Sequence, residues 1–106
     1  MLLYLITQKD NTGYDVYLGA VVTAESEHAA RHTHPGSRSR DPYNGKPIQL
    51  VWVPEKNGWL YSDELDSPDA YPIEDWVPPE KVIVKLIGVA VGHTSKDVVL
   101  SSFRAG

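Results

Sequence analysis

The sequence predicts an α+β domain: a mostly antiparallel sheet in the order β-β-α-(β-β)-β-β, with one short helix on one face. Three features of the 106-residue chain predict it. Apolar or alternating runs of strand length recur along the chain, separated by clusters of Gly, Pro, Asn and Asp. A single segment, TAESEHAARHTHP, carries helix signals at both ends. A helix lying on one face of an antiparallel sheet is a standard way for two such elements to hide their apolar sides.

Leu2 to Gln8, apolar and unbroken for its first five residues, reads as a strand buried on both faces or nearly so. The turn formers of DNTGYD follow, and Tyr14 to Ala24 alternates as a second strand. The short spacing makes the pair an antiparallel hairpin, and Gly19 in mid-strand marks a bulge or a close backbone approach. Thr23 and Ser26 are both candidate helix caps, with Glu25 and Glu27 at the positive end of the helix dipole. Arg31 and His32 suit the negative end, and Pro35 disfavours helical backbone at His34. The helix should therefore span about two to three turns, end near Thr33, and depend on packing against the sheet. GSRSRDPYNGKP is a loop. Ile48 to Val53 is a short strand, stopped by Pro54, and Trp59 to Tyr61 returns antiparallel to it. The proline-rich, acidic stretch that follows should be irregular, pinned by Tyr71, Ile73 and Trp76. Pro78 and Pro79 open a single helical turn. Val82 to Val91 is a strong strand, GHTSKD turns the chain, and Val98 to Phe103 runs back beside it. The outer hairpins, residues 1–36 and 78–106, then form the core of a single domain spanning 1–106. Residues 37–77 are an inserted segment free to carry recognition.

Composition narrows the function. The apolar and charged fractions, 42% and 23%, are ordinary for a globular domain. The chain has no cysteine, so it offers no disulfide or thiolate, which fits a cytoplasmic setting. The apolar start is too short for a secretory or membrane segment and has no basic residue ahead of it, so no membrane association is expected. A net charge of −4 argues against a general nucleic-acid binder. The charge is also uneven. Seven acids and no Lys or Arg lie between Asn57 and Glu80, whereas Arg31, Arg38, Arg40, Lys46 and three histidines crowd residues 28–46.

LYLITQ, NTGYDVYLGAVV, the helix end ARHTHP, VIVKLIGVA and the closing VVLSSFRAG carry a resemblance. Over residues 2–36 and 76–106 the chain resembles a family of small uncharacterised proteins of bacterial and phage genomes. That family has the pattern LYLISQ, NGYDTYDSAVV, AR-x-IHP, IG and ASF-x-AG. Leu18 and Gly19 replace Asp and Ser of the pattern, Thr33 replaces Ile, and Ser101 replaces Ala. The resemblance implies no catalytic residue. It implies a phage or mobile-element accessory protein, such as an inhibitor of a host system.

Several constellations could carry chemistry. His28 and His32 share a helix face at metal-ligand spacing, but a zinc site would need another ligand such as His93 or Asp41, and neither a metal nor a cofactor is expected. Arg31, His34, Arg38, Arg40 and Lys46 form a candidate phosphate or nucleic-acid set, since bidentate guanidinium groups match phosphate geometry. None of the acids sits in an apolar stretch that would raise its pKa for acid–base work, so an enzyme is not expected. The remaining set is Trp52, Trp59, Tyr61, Asp63, Glu64, Asp66, Tyr71, Glu74, Asp75 and Trp76. It reads as a protein-binding surface, with aromatic anchors at the centre and acids steering a basic partner at the rim. The same aromatics could instead form the insert's own core, because a lone hairpin is barely stable. The expectation is thus a small non-enzymatic accessory protein that binds and inhibits a host macromolecule through the insert, with nucleic-acid or phosphate binding as the alternative. A homodimer through an edge strand or aromatic patch is compatible with the pattern.

Overall fold

The computed structural model describes residues 1–11, 13–38, 43–92 and 96–104, with Arg104 described by its backbone alone. Strands β1 (Leu2–Thr7) and β2 (Val16–Ala24) form the expected antiparallel hairpin, in register from Leu2 opposite Ala24 to Thr7 opposite Gly19. β5 (Ile83–Val89) pairs antiparallel with β1, and β6 (Asp97–Arg104) pairs antiparallel with β2. The sheet order is therefore β5-β1-β2-β6. The expected closing hairpin is not formed, because β5 and β6 occupy opposite edges. The β1–β2 ribbon has two open edges whose backbone donors and acceptors both need partners, and each takes one of the last two strands. Residues 93–95 of the expected GHTSKD turn lie outside the described residues. Gly19 fulfils its expectation. The β2–β6 register shifts between Tyr17 and Gly19, and a Cβ at Gly19 would stand 2.8 Å from the Ile6 carbonyl oxygen.

The helix α1 (Glu27–Arg31) is shorter than expected, at five residues. Of the two candidate caps, Ser26 does the work: its hydroxyl accepts the Ala29 N–H at 3.1 Å. Ala30, fully buried, seats the helix on the sheet. Arg31 fastens it from the side by donating to the Pro79 carbonyl at 3.0 Å and to the Val82 carbonyl, just ahead of β5. So short a helix has little intrinsic stability, and these tertiary contacts hold it.

In the inserted segment, β3 (Leu50–Val53) and β4 (Gly58–Tyr61) pair antiparallel, joined by a 3₁₀ turn at Pro54–Lys56 and a left-handed Asn57. The segment is not an appendage. Trp59, Trp76 and Val77 are 1%, 5% and 5% exposed and belong to one core with Tyr4, Ile6, Ala20, Val22, Ala24, Ala30 and Val82. The Trp59 indole N–H donates to the Val77 carbonyl at 2.9 Å, and the Ile73 N–H donates to the Trp59 carbonyl at 2.8 Å. Gly58 lets the chain pass itself there, since a Cβ would meet Pro72 at 2.3 Å. Helix and insert together cover the middle of one face of the four-stranded sheet, while Leu86 and Val89 at its β5 edge stay exposed. No helix among the described residues is long and apolar enough to cross a membrane.

Candidate functional site

The HTHP sequence leads to the most constrained polar cluster. His34 leaves α1 on a chain turned by Pro35 and Gly36, and it is completely buried. Its Nε2 lies 2.7 Å from Asp75 Oδ1, and its Nδ1 accepts the Gly36 N–H at 2.8 Å. These partners assign the ring: Nδ1 is the acceptor and Nε2–H donates to the carboxylate. Tyr17 and Trp59 meet the imidazole edge-on, at centroid distances of 5.6 and 5.3 Å. Asp75 is held a second time through its backbone, because the Tyr17 N–H donates to the Asp75 carbonyl at 2.9 Å. Burial raises the Tyr17 pKa above its ordinary value, and the Asp75 charge pushes it the same way, so the phenol stays protonated.

Tyr17, Arg38, Tyr61 and Asp75 line a shallow cleft of about 320 Å³ on the outer side of this cluster. A histidine beside a carboxylate is the usual core of a general-base site, but here the geometry excludes that use. Both ring nitrogens are engaged within the chain, and no ring atom reaches solvent, so His34 cannot take a proton from a bound molecule. The pair instead bolts the helix exit to the inserted segment.

The predicted phosphate set does not converge. His34 is in the core, and Arg31 is spent on main-chain carbonyls and Glu27, which corrects both assignments. Arg38 and Lys46 are exposed, and Arg40 lies outside the described residues. His28 and His32 stack at 4.2 Å, but no group of three metal-ligating side chains occurs among the described residues, and His93 and Asp41 lie outside them.

The aromatic and acidic set divides. Trp59 and Trp76 are core residues and cannot anchor a partner, a correction whose reason is that the sheet needs their bulk to cover it. Trp52 is half-buried against Trp59, with ring centroids 5.6 Å apart. Asp75 is tied to His34. Tyr61, Asp63, Glu64, Asp66, Tyr71 and Glu74 are exposed, Tyr71 by 83%.

Sequence reasoning missed a surface on the far side of the sheet. Directly paired residues share a face, which places Leu3, Leu5 and Thr7 of β1 with Val21 of β2 and Ile83 and Lys85 of β5. Leu5, Leu18, Val21 and Leu100 surround a shallow apolar depression of about 480 Å³ there. Leu18, Ile83 and Leu100 are 43%, 41% and 67% exposed. The available signal was that VIVKLIGVAV places apolar residues at both parities, more than one covered face can use.

Comparison of the chain with protein-family models, with curated proteins and with solved structures gives no match.

Proposed function

We propose that this chain is a non-enzymatic binding protein that acts by protein–protein association, with the uncovered face of its four-stranded sheet as the main contact. The observation that carries the reading is the apolar depression formed by Leu5, Leu18, Val21 and Leu100, with Leu18 and Leu100 exposed, on a sheet whose opposite face is covered in its middle by the chain's own helix and insert. Protein surfaces rarely leave a contiguous apolar patch of more than a few hundred Å² without a use for it. The locked state of His34 supports the non-enzymatic part of the reading. The resemblance to small phage proteins supports a host macromolecule as the target of the assembly that this association forms.

A second reading keeps part of the acidic surface. Asp63, Glu64, Asp66 and Glu74 are exposed beside Tyr61 and Tyr71, and no ion pair engages these four carboxylates among the described residues. Such a surface would steer a basic macromolecule, with salt weakening the encounter. Capture from a cell lysate separates the two readings. The tagged wild type is compared with a Leu18→Glu/Leu100→Glu variant and with an Asp63→Asn/Glu64→Gln/Asp66→Asn/Glu74→Gln variant. Loss of the captured protein in the first variant and retention in the second is the expected result. Loss only in the second variant replaces the sheet-face reading by the acidic one, and capture unchanged in both overturns both.

A further inference from the structure

We propose that the uncovered sheet face is closed by a second copy of this chain, packed face to face about a two-fold axis. The proposal rests on the reading of that face as an association surface, and it names the occupant.

Area is the first argument. Four strands about 4.8 Å apart, each contributing about six residues at about 3.3 Å rise, give a footprint of about 400 Å² in projection. A standard stable interface covers roughly 800 Å² per partner, so the sheet face in projection makes up about half of one. The face is therefore the right size for one sheet of equal extent, and another copy supplies such a sheet. Twisted sheets pack face to face at about 10 Å separation with their strands roughly aligned, as in a β-sandwich. The missing second layer of this fold is then provided by an identical one.

Charge is the second argument. Lys85 on the edge strand β5 and Asp97 on the edge strand β6 are the charged residues that the registers bring onto this face, at its two borders, and the middle is Leu5, Leu18, Val21 and Leu100. A partner selected by charge finds little here to read, whereas an apolar patch is complementary to itself, as a two-fold interface requires. The chain carries a net charge of −4, so two copies would repel if their acids met. The densest group of them does not meet in this arrangement. The seven acids between Asn57 and Glu80 belong to the layer that covers the opposite face of the sheet. Face-to-face packing keeps those two layers on the outside, separated by both sheets. The dimer would present its two acidic, tyrosine-bearing surfaces in opposite directions.

Sedimentation velocity on the full chain over a dilution series tests the proposal. The wild type is expected to sediment as a dimer that dissociates on dilution, with no weakening as salt is raised. Leu100→Glu should raise the dimer dissociation constant at least roughly a hundredfold, because each copy then buries a carboxylate against leucines. Leu100 is 67% exposed in the single chain, so the variant should keep its circular dichroism spectrum. A wild type that stays monomeric at millimolar concentration, or a Leu100→Glu variant that dimerises like the wild type, overturns the proposal. In the monomeric case, anilinonaphthalene sulfonate fluorescence tells which reading has failed. Dye binding lost in Leu18→Glu/Leu100→Glu keeps the face as a contact for a different protein. Dye binding unchanged by those substitutions removes the face as an association surface altogether.

Discussion

The two faces of the four-stranded sheet are built from the same strands, yet they end in opposite states. On one, Ile6 and Val22 are fully buried beneath Trp59 and Ala30. On the other, Leu5 and Val21 remain partly open, and Leu100 is 67% exposed. Strand alternation makes the difference a matter of a single residue step. What covers the first face is a costly assembly: a five-residue helix that cannot stand alone, and a hairpin that delivers Trp59 into the core. The chain has no remaining segment of that kind for the second face among its described residues. Under the proposal above, the open apolar face is one half of an intermolecular core, and stability should be concentrated on the covered side.

Truncation across the sheet is the harshest test of this asymmetry. Trp59→Ala should cost about 3–5 kcal/mol, the usual range for removing a large aromatic from a core. Leu100→Ala should change monomer stability by no more than about 0.5 kcal/mol, as for surface positions away from special contacts. Urea denaturation of both variants, at concentrations low enough that association adds nothing to stability, checks the pair. Equal costs would mean that the face is covered in the single chain and that the contrast is false.

The acids sharpen the same comparison at smaller scale. Asp75 accepts from a histidine with no solvent access, whereas Asp63 stands exposed on a 3₁₀ turn. Asp75→Ala leaves the Nε2–H of His34 buried without an acceptor and should cost about 1–3 kcal/mol. Asp75→Asn keeps an acceptor oxygen and should cost less, and Asp63→Ala should fall within about 0.5 kcal/mol. Denaturant midpoints for the three variants rank them, and parity between Asp75→Ala and Asp63→Ala would remove the structural role assigned to the pair.

Much of this was legible in the residues, for reasons that are local. Leu2 to Thr7, Val16 to Ala24, the Ser26 cap and the irregularity at Gly19 depend on periodicity, on a hydroxyl three residues before an amide, and on a missing Cβ. What depends on distant partners was not legible. A turn after β5 looks the same whether the next strand pairs with β5 or crosses to the far edge, and only the two free edges of the β1–β2 ribbon decide it. The His34–Asp75 bond joins positions 41 apart, with an acid run around one partner that reads as solvated surface. Trp59 lies just before that run and Trp76 within it, which made them look like anchors on a surface when the sheet had prior need of them. Apolar residues at both parities of β5 mark a strong strand, and they equally signal an apolar face waiting for a partner chain.

The smallest expected effect concerns Tyr17, which joins the covered layer to the rim of the cleft. Its pKa is raised by burial, and next by the negative Asp75. A phenol whose folded pKa exceeds its unfolded value keeps its proton longer in the native state, so the native state binds more protons between the two values. The associated stability is fully present below the unfolded value of about 10 and is lost as pH rises through the higher folded value. Stability measured by urea unfolding should therefore fall as pH climbs above about 10, and Tyr17→Phe should make that fall shallower. Lys81, paired with Asp10 at 3.0 Å on the surface, also has a raised pKa and a loss of the same sign. It is present in both proteins, so the difference between their slopes isolates the phenol. Identical slopes for wild type and Tyr17→Phe would show that Tyr17 is as free to ionise as an exposed tyrosine, and would separate it from the buried cluster around His34.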